Sequence, residues 1–432
     1  MNTTPDGAPP AYDFLETSGG ITAWQLRSNG LRVLVMPDAT APVVAFMVTY
    51  GVGSRNEGPG LTGATHFLEH LMFKGSARFN KAQGTSVFNT LQRVGAQLNA
   101  TTWLDRTNYY ELLPKAHLSL AVEIEADRMR QVLLDPADVE SERTVILNEF
   151  DRGENEAFRK LYQAVWQAAF VAHPYRHPTI GWRSDIAHLS PESLRHFYDT
   201  YYWPNNATIS ILGDVVLADA LDLVARHFGS IPAAPHPIPP VHTQEPVQRG
   251  ERRTVVRLAG QLGTVLVAWK APDAHHADTD ALDVLAMVLA SGKTSRCYRA
   301  LTDQGLATSV GADVTRLRDP GLFYAWAMLA PSRTHAEVEA ALLAAVEAVR
   351  QDGIAGAELD RARNQLRAQF AFGQDGPYAI AAQLNEAIAA GDWKHYTTYL
   401  DRLAAVTAAD VQRVAQDWLV EDRRTVGWYV PG

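Results

Sequence analysis

Two histidines, His66 and His70, sit inside the apolar run Ala64-Thr65-His66-Phe67-Leu68-Glu69-His70-Leu71-Met72-Phe73. On a helix, positions i and i+4 leave the same face, so both imidazoles can reach one point in space. Glu69 lies beside them on a neighbouring strip. Imidazole is a common ligand for divalent metals, and a carboxylate next to the ion can act as a base. The order His-x-x-Glu-His inverts the more common His-Glu-x-x-His, and the inverted form also marks zinc peptidases. The chemistry indicated is metal-assisted hydrolysis. The competing reading is a pair of satisfied core histidines. A third ligand decides between the two, because a catalytic zinc takes three protein ligands and keeps one position for water.

The best downstream candidates lie in Asp138-Val139-Glu140-Ser141-Glu142-Arg143-Thr144-Val145-Ile146-Leu147-Asn148-Glu149-Phe150, which begins with an acidic turn and reads as a helix running past Lys160. Glu142 and Glu149 are two helical turns apart, so their carboxylates share a face. A solvated acidic face involving Glu140, Glu154 and Glu156 as well is the alternative at this point.

Further motifs narrow the choice. They are Gly51-Val52-Gly53-Ser54-Arg55-Asn56-Glu57, Leu98-Asn99-Ala100-Thr101-Thr102, Asp105-Arg106-Thr107-Asn108-Tyr109-Tyr110, His173-Pro174-Tyr175 with Ile180-Gly181, and Tyr202-Trp203-Pro204-Asn205-Asn206-Ala207 through Gly213-Asp214. Together with the histidine motif they resemble the M16 peptidases, the family of pitrilysin and the mitochondrial processing peptidase. The resemblance covers most of the chain and is strongest before residue 215. It implies that His66, His70 and Glu149 bind one zinc ion per chain and that Glu69 is the general base. It implies that Glu142 orients a ligand histidine. It also implies that Asn99, Ala100 and Thr101 belong to an edge strand to which an extended peptide substrate adds.

One element departs from the family pattern. Active M16 assemblies share an Arg and a Tyr, contributed by the half facing the zinc, that contact the substrate carbonyl. The corresponding stretch, Ser295 to Val310, has threonines at 302 and 308, with Arg296 and Tyr298 nearby at a different spacing. The resemblance therefore implies a homologous partner subunit that supplies Arg and Tyr. An active homodimer and a non-catalytic M16-like scaffold are the alternatives.

Positioning these groups requires a substantial scaffold, and 432 residues suffice for two domains with full cores. Strand-like Val43–Tyr50 precedes the histidine helix, and Thr264–Trp269 precedes a helical run from Ala281 to Ala290. Each half then shows a glycine (Gly95 or Gly305) and an aromatic strand, Asn108–Leu113 or Leu322–Ala327. Helical patterns follow at 334–352, 355–372 and 406–419. The halves read as distant copies, and only the first carries the metal motif. The expected fold is α+β, two homologous domains, each a largely antiparallel sheet covered by helices, together half of a clamshell. The expected boundaries are 1–232 for the zinc-binding domain, 233–250 for a linker and 251–432 for the second domain. The linker follows from the proline-rich Ile231–Pro240.

Composition removes other classes. Apolar content of 47% and charged content of 20% are those of a globular protein. A net charge of −9 without a Lys/Arg cluster argues against nucleic acid. No apolar run is long enough for a membrane span, and the single Cys297 excludes an intrachain disulfide. Met1–Pro10 lacks the features of a secretory signal and reads as a disordered lead-in. Cytoplasm is the expected compartment, or periplasm if a signal was removed. Ser291-Gly292-Lys293-Thr294-Ser295 resembles the tail of a phosphate loop, but Met287 stands where that motif needs glycine. His275-His276 reads as solvated, since adjacent histidines point in different directions.

Overall fold

The computed structural model describes residues 10–432. The lead-in expected over Met1–Pro10 lies, as far as Pro9, outside them. The chain forms two compact units. The first comprises the chain up to Asn148 together with Pro178–His242 and Gly373–Thr398; the second comprises Glu149–His177, Thr243–Phe372 and Tyr399–Gly432.

The first unit is built on strands β1 (Tyr12–Ser18), β2 (Ile21–Leu26), β3 (Arg32–Pro37), β4 (Val43–Tyr50), β5 (Gln97–Thr102), β6 (Thr107–Pro114) and β7 (Ala207–Gly213). They form one sheet in the order β1-β2-β3-β7-β4-β6-β5, antiparallel except for the β3/β7 pair. Val44 to Tyr50 are all buried, because both faces of β4 are covered. This is why β4 reads as a continuous apolar run rather than an alternating one. Helix Leu118–Gln131 and helix Pro377–Ala390 both pack on β4. Strand β5 closes one edge of the sheet.

The second unit contains β8 (Arg252–Leu258), β9 (Thr264–Lys270), β10 (Ala307–Val314), β11 (Leu322–Leu329) and β12 (Arg424–Pro431). Their order is β10-β11-β9-β12-β8, with β8 and β12 parallel and the remaining pairs antiparallel. Read from the parallel pair outward, β8-β12-β9-β11-β10 repeats β3-β7-β4-β6-β5 strand for strand. The two halves are thus copies in topology. On one face of β9, Val265, Val267 and Trp269 enter a core shared with helices Thr279–Ala290 and His335–Asp352. Helix Ala157–Ala169 also packs on β8, β9 and β12. Gly427 permits that approach, since a Cβ there would run into Val165 and Leu161.

The helix expected to run past Lys160 is two helices, Pro136–Gly153 and Ala157–Ala169. Gly153 and Asn155 are weak helix formers at the break. Between Phe228 and Arg252, where the linker was expected, the chain has no helix or strand. Among the described residues no helix is long and apolar enough to cross a membrane.

Candidate metal centre

The histidine helix spans Ala64–Leu71. It begins at Gly63, whose φ of +88° suits glycine, and a Cβ there would come within 2.6 Å of the Ile180 carbonyl oxygen. Glu57 caps the start: its two carboxylate oxygens accept the backbone N–H groups of Gly63 and Thr65, each at 2.8 Å. A carboxylate at this end satisfies orphan donors and opposes the positive end of the helix dipole. Phe67, Leu68 and Leu71 are buried and anchor the helix, while His66, Glu69 and His70 are half-buried. The imidazole centroids are 4.8 Å apart and the rings are nearly perpendicular.

Glu142 and Glu149 both lie on helix Pro136–Gly153, so helical geometry fixes their separation although the unit division falls between them. Ligand atoms of His66, His70 and Glu149 all lie within 4.8 Å of one another. No other such group forms among the described residues, and His275 and His276 contribute to none. Two imidazoles and one carboxylate are a donor set suited to a catalytic divalent ion with one open position.

Glu142, only 5% exposed, holds the neighbouring groups. One of its oxygens lies 3.0 Å from His70 Nδ1, and the other pairs with Lys74. Burial pushes this carboxyl up, but the hydrogen bonds from Lys74 and His70 outweigh burial and hold it below its usual range. An ionised carboxylate can only accept, so Nδ1 carries the proton and Nε2 is left as the metal-facing nitrogen. Glu69 accepts a 2.5 Å hydrogen bond from the Thr102 hydroxyl at the end of β5. Glu57 and Thr102 fall within motifs quoted from the sequence, but those motifs assign neither a role of its own; Lys74, in the turn after the helix, was not singled out.

Asn99, Ala100 and Thr101 lie on β5 at the sheet edge. The register reveals which backbone groups are available there. The Trp103 N–H donates to the Arg106 carbonyl at 2.9 Å, closing the hairpin. Thr101 pairs with Asn108, and Asn99 pairs with Tyr110. Alternation in an antiparallel ladder then turns Thr101 and Asn99 toward β6, and Leu98, Ala100 and Thr102 outward. In keeping with this, the Ala100 N–H meets the side-chain oxygen of Asn99 at 2.9 Å. The segment read as departing from the Arg–Tyr pattern lies in the second unit. Thr302 ends a short helical turn, Tyr298–Thr302, and Thr308 lies on β10, the edge strand equivalent to β5. Arg296 is bound to the Glu358 carboxylate and the Gly353 carbonyl.

Residues 32–180 match the family described as Insulinase (Peptidase family M16), and residues 188–366 match Peptidase M16 inactive domain. The chain belongs to the M16 peptidases. This M16 chain is 29% identical over 408 residues to the Zinc protease PqqE of Helicobacter pylori, covering 93% of this chain and 91% of that protein. It is 25% identical over 404 residues to a probable mitochondrial-processing peptidase subunit beta of Arabidopsis thaliana, covering 91% of this chain and 75% of that one. In structure it resembles a protease from Helicobacter pylori with a TM-score of 0.89 and 28% identity, covering 98% of this chain and all of that one. The periplasmic protease PqqL of Escherichia coli shares the fold, with a TM-score of 0.79 and 20% identity. That match covers 97% of this M16 chain but 48% of PqqL.

Proposed function

We propose that this chain is a zinc-dependent endopeptidase that hydrolyses peptides or unfolded polypeptide segments. His66, His70 and Glu149 would hold one zinc ion. The observation carrying this reading is the convergence of two imidazoles and a carboxylate, with Glu69 beside them and an open strand edge joined to Glu69 through Thr102. The zinc protease name of the Helicobacter pylori relative supports the choice of metal. Held there, the ion would supply Lewis-acid polarisation of the scissile carbonyl and lower the pKa of a water toward about 7. Glu69 takes the proton of the attacking water and returns it to the leaving amine. The Thr102 hydroxyl fixes the orientation of Glu69, and Glu142 keeps His70 in the tautomer that offers Nε2. An extended peptide adds to β5 by backbone hydrogen bonds to Ala100 and its outward-facing neighbours, a mode that reads backbone more than side chains.

The chain would act as the metal-bearing member of a pair enclosing a chamber, with a homologous partner supplying the Arg and Tyr. Commitment of Arg296 to Glu358, and threonines at 302 and 308, favour a partner over self-sufficiency. The test is cleavage of a quenched peptide, with metal content measured in parallel. Glu69→Gln should retain stoichiometric zinc and lose turnover by several orders of magnitude; normal turnover in that variant would refute the mechanism. Full activity of the wild-type chain alone would refute the pairing.

A further inference from the structure

Arg106 holds β5 from the hairpin rather than from the ladder. It is 9% exposed, and its guanidinium divides its hydrogen bonds between two structural elements. On one side Nη1 donates to the Thr101 carbonyl at 3.0 Å, the Thr101 hydroxyl at 2.5 Å and the Asn108 side-chain oxygen at 2.9 Å. On the other side Nε and Nη2 donate to one oxygen of Glu386, at 3.0 and 2.5 Å. Glu386 lies on helix Pro377–Ala390, within the same unit as β5. The residue before it, Asn385, is 2% exposed and accepts a 2.7 Å hydrogen bond from the Thr49 hydroxyl on β4. Asn385 also donates to Glu386 at 3.2 Å.

These bonds form a continuous connection from the central strand β4, through Asn385, Glu386 and Arg106, to the backbone of edge strand β5. An edge strand has a ladder partner on one side only, so its outer peptide groups are free to twist. Arg106 grips the carbonyl of Thr101, the inward-facing residue between outward-facing Ala100 and Thr102. Fixing that carbonyl sets the plane of the Thr101–Thr102 peptide unit, whose other end is the outward-facing Thr102 N–H. Thr102 in turn holds Glu69. A planar guanidinium with several donors suits a junction that must grip a carbonyl and a carboxylate together, which an ammonium group would do less well.

We propose that Arg106 and Glu386 are positioning residues: they hold β5 in the geometry that receives substrate and sets its register against Glu69. The assignment rests on the reading of β5 as the substrate-binding edge. Neither residue touches the metal ligands in this arrangement; both act through Thr101.

The experiment compares wild type, Glu386→Ala, Glu386→Gln and Arg106→Met, each loaded with zinc and supplied with any partner that the wild type needs. Hydrogen exchange of segment 97–102 and steady-state cleavage are measured together. Glu386→Ala should speed exchange in 97–102 and raise KM about fivefold, with kcat and zinc content close to wild type. Arg106→Met should act in the same direction and more strongly. Glu386→Gln keeps a carbonyl acceptor for the guanidinium and should restore most of the wild-type values. A merely structural role would instead lower kcat, zinc content and thermal stability together, and that result would overturn the proposal. So would unchanged exchange and KM in both Glu386→Ala and Arg106→Met. If the wild type fails to cleave peptide under any condition, the peptidase reading falls. The exchange of segment 97–102 still decides whether Arg106 and Glu386 hold the strand.

Discussion

Two adjacent proline substitutions on β5 should have opposite consequences. Ala100 presents its N–H outward, where the only acceptor found for it is the side chain of Asn99. Thr101 faces β6 opposite Asn108. Proline is tolerated on an edge strand where the lost N–H faces away from the ladder. Ala100→Pro should therefore leave the sheet and the metal site intact while removing one donor to an incoming peptide. A net amide hydrogen bond contributes about 1 kcal/mol, so peptide affinity should fall about fivefold. Thr101→Pro removes a ladder bond and displaces the carbonyl gripped by Arg106. It should destabilise the fold by about 3 kcal/mol, the penalty for proline inside regular structure. Peptide binding is best read by fluorescence anisotropy in a Glu69→Gln background, which prevents turnover, with thermal unfolding measured alongside. Wild-type affinity in Ala100→Pro would refute β5 as the peptide-binding edge. Equal stability of the two proline variants would refute the register.

Other substitutions test the surroundings. Glu142→Gln keeps the shape but replaces the anion that fixes His70; zinc affinity should fall about 10- to 100-fold in a chelator competition, with secondary structure unchanged. Lys270 in the second unit lies 3.1 Å above the Phe170 ring and 3.8 Å from Glu245, and burial pushes its pKa down to about 7 from 10.5. Between those values the unfolded chain binds the proton and the folded chain does not, so stability from this group rises with pH across that window. Lys270→Met should accordingly stabilise the fold most below pH 7, by on the order of a few kcal/mol, read as a raised melting temperature, and progressively less toward pH 10. A stabilisation equal at pH 6 and pH 9.5 would contradict the burial argument.

What could be read from the sequence was local. His66 and His70 are a turn apart on one apolar helix, so spacing alone placed them together. The continuous run Val43–Tyr50 could be seen as a strand because β4 is buried on both faces. Glu149 needed the family resemblance, since the acidic stretch around it offers several carboxylates on a largely polar helix. Which backbone groups of β5 face outward was hidden, because parity depends on the hairpin closure at Trp103 and Arg106. The Arg106–Glu386 contact joins residues far apart in the chain and leaves no periodic trace. Nor does an amphipathic stripe say which sheet it will cover, so the placement of helices Ala157–Ala169 and Pro377–Ala390 could not be foreseen.

That placement governs how the protein can be made and divided. Each unit takes a helix from the opposite half of the sequence: Pro377–Ala390 packs on the first sheet and Ala157–Ala169 on the second. During synthesis the ribosome must deliver almost the whole chain before β4 and β7 gain their last covering, leaving apolar strands exposed until then. A gene cut at the proline-rich stretch would yield two fragments, each missing a helix carried by the other. Expressed separately, such fragments should aggregate; expressed together, they should reassemble by exchanging those helices. A single backbone nick in that stretch of an already folded molecule should be harmless by comparison.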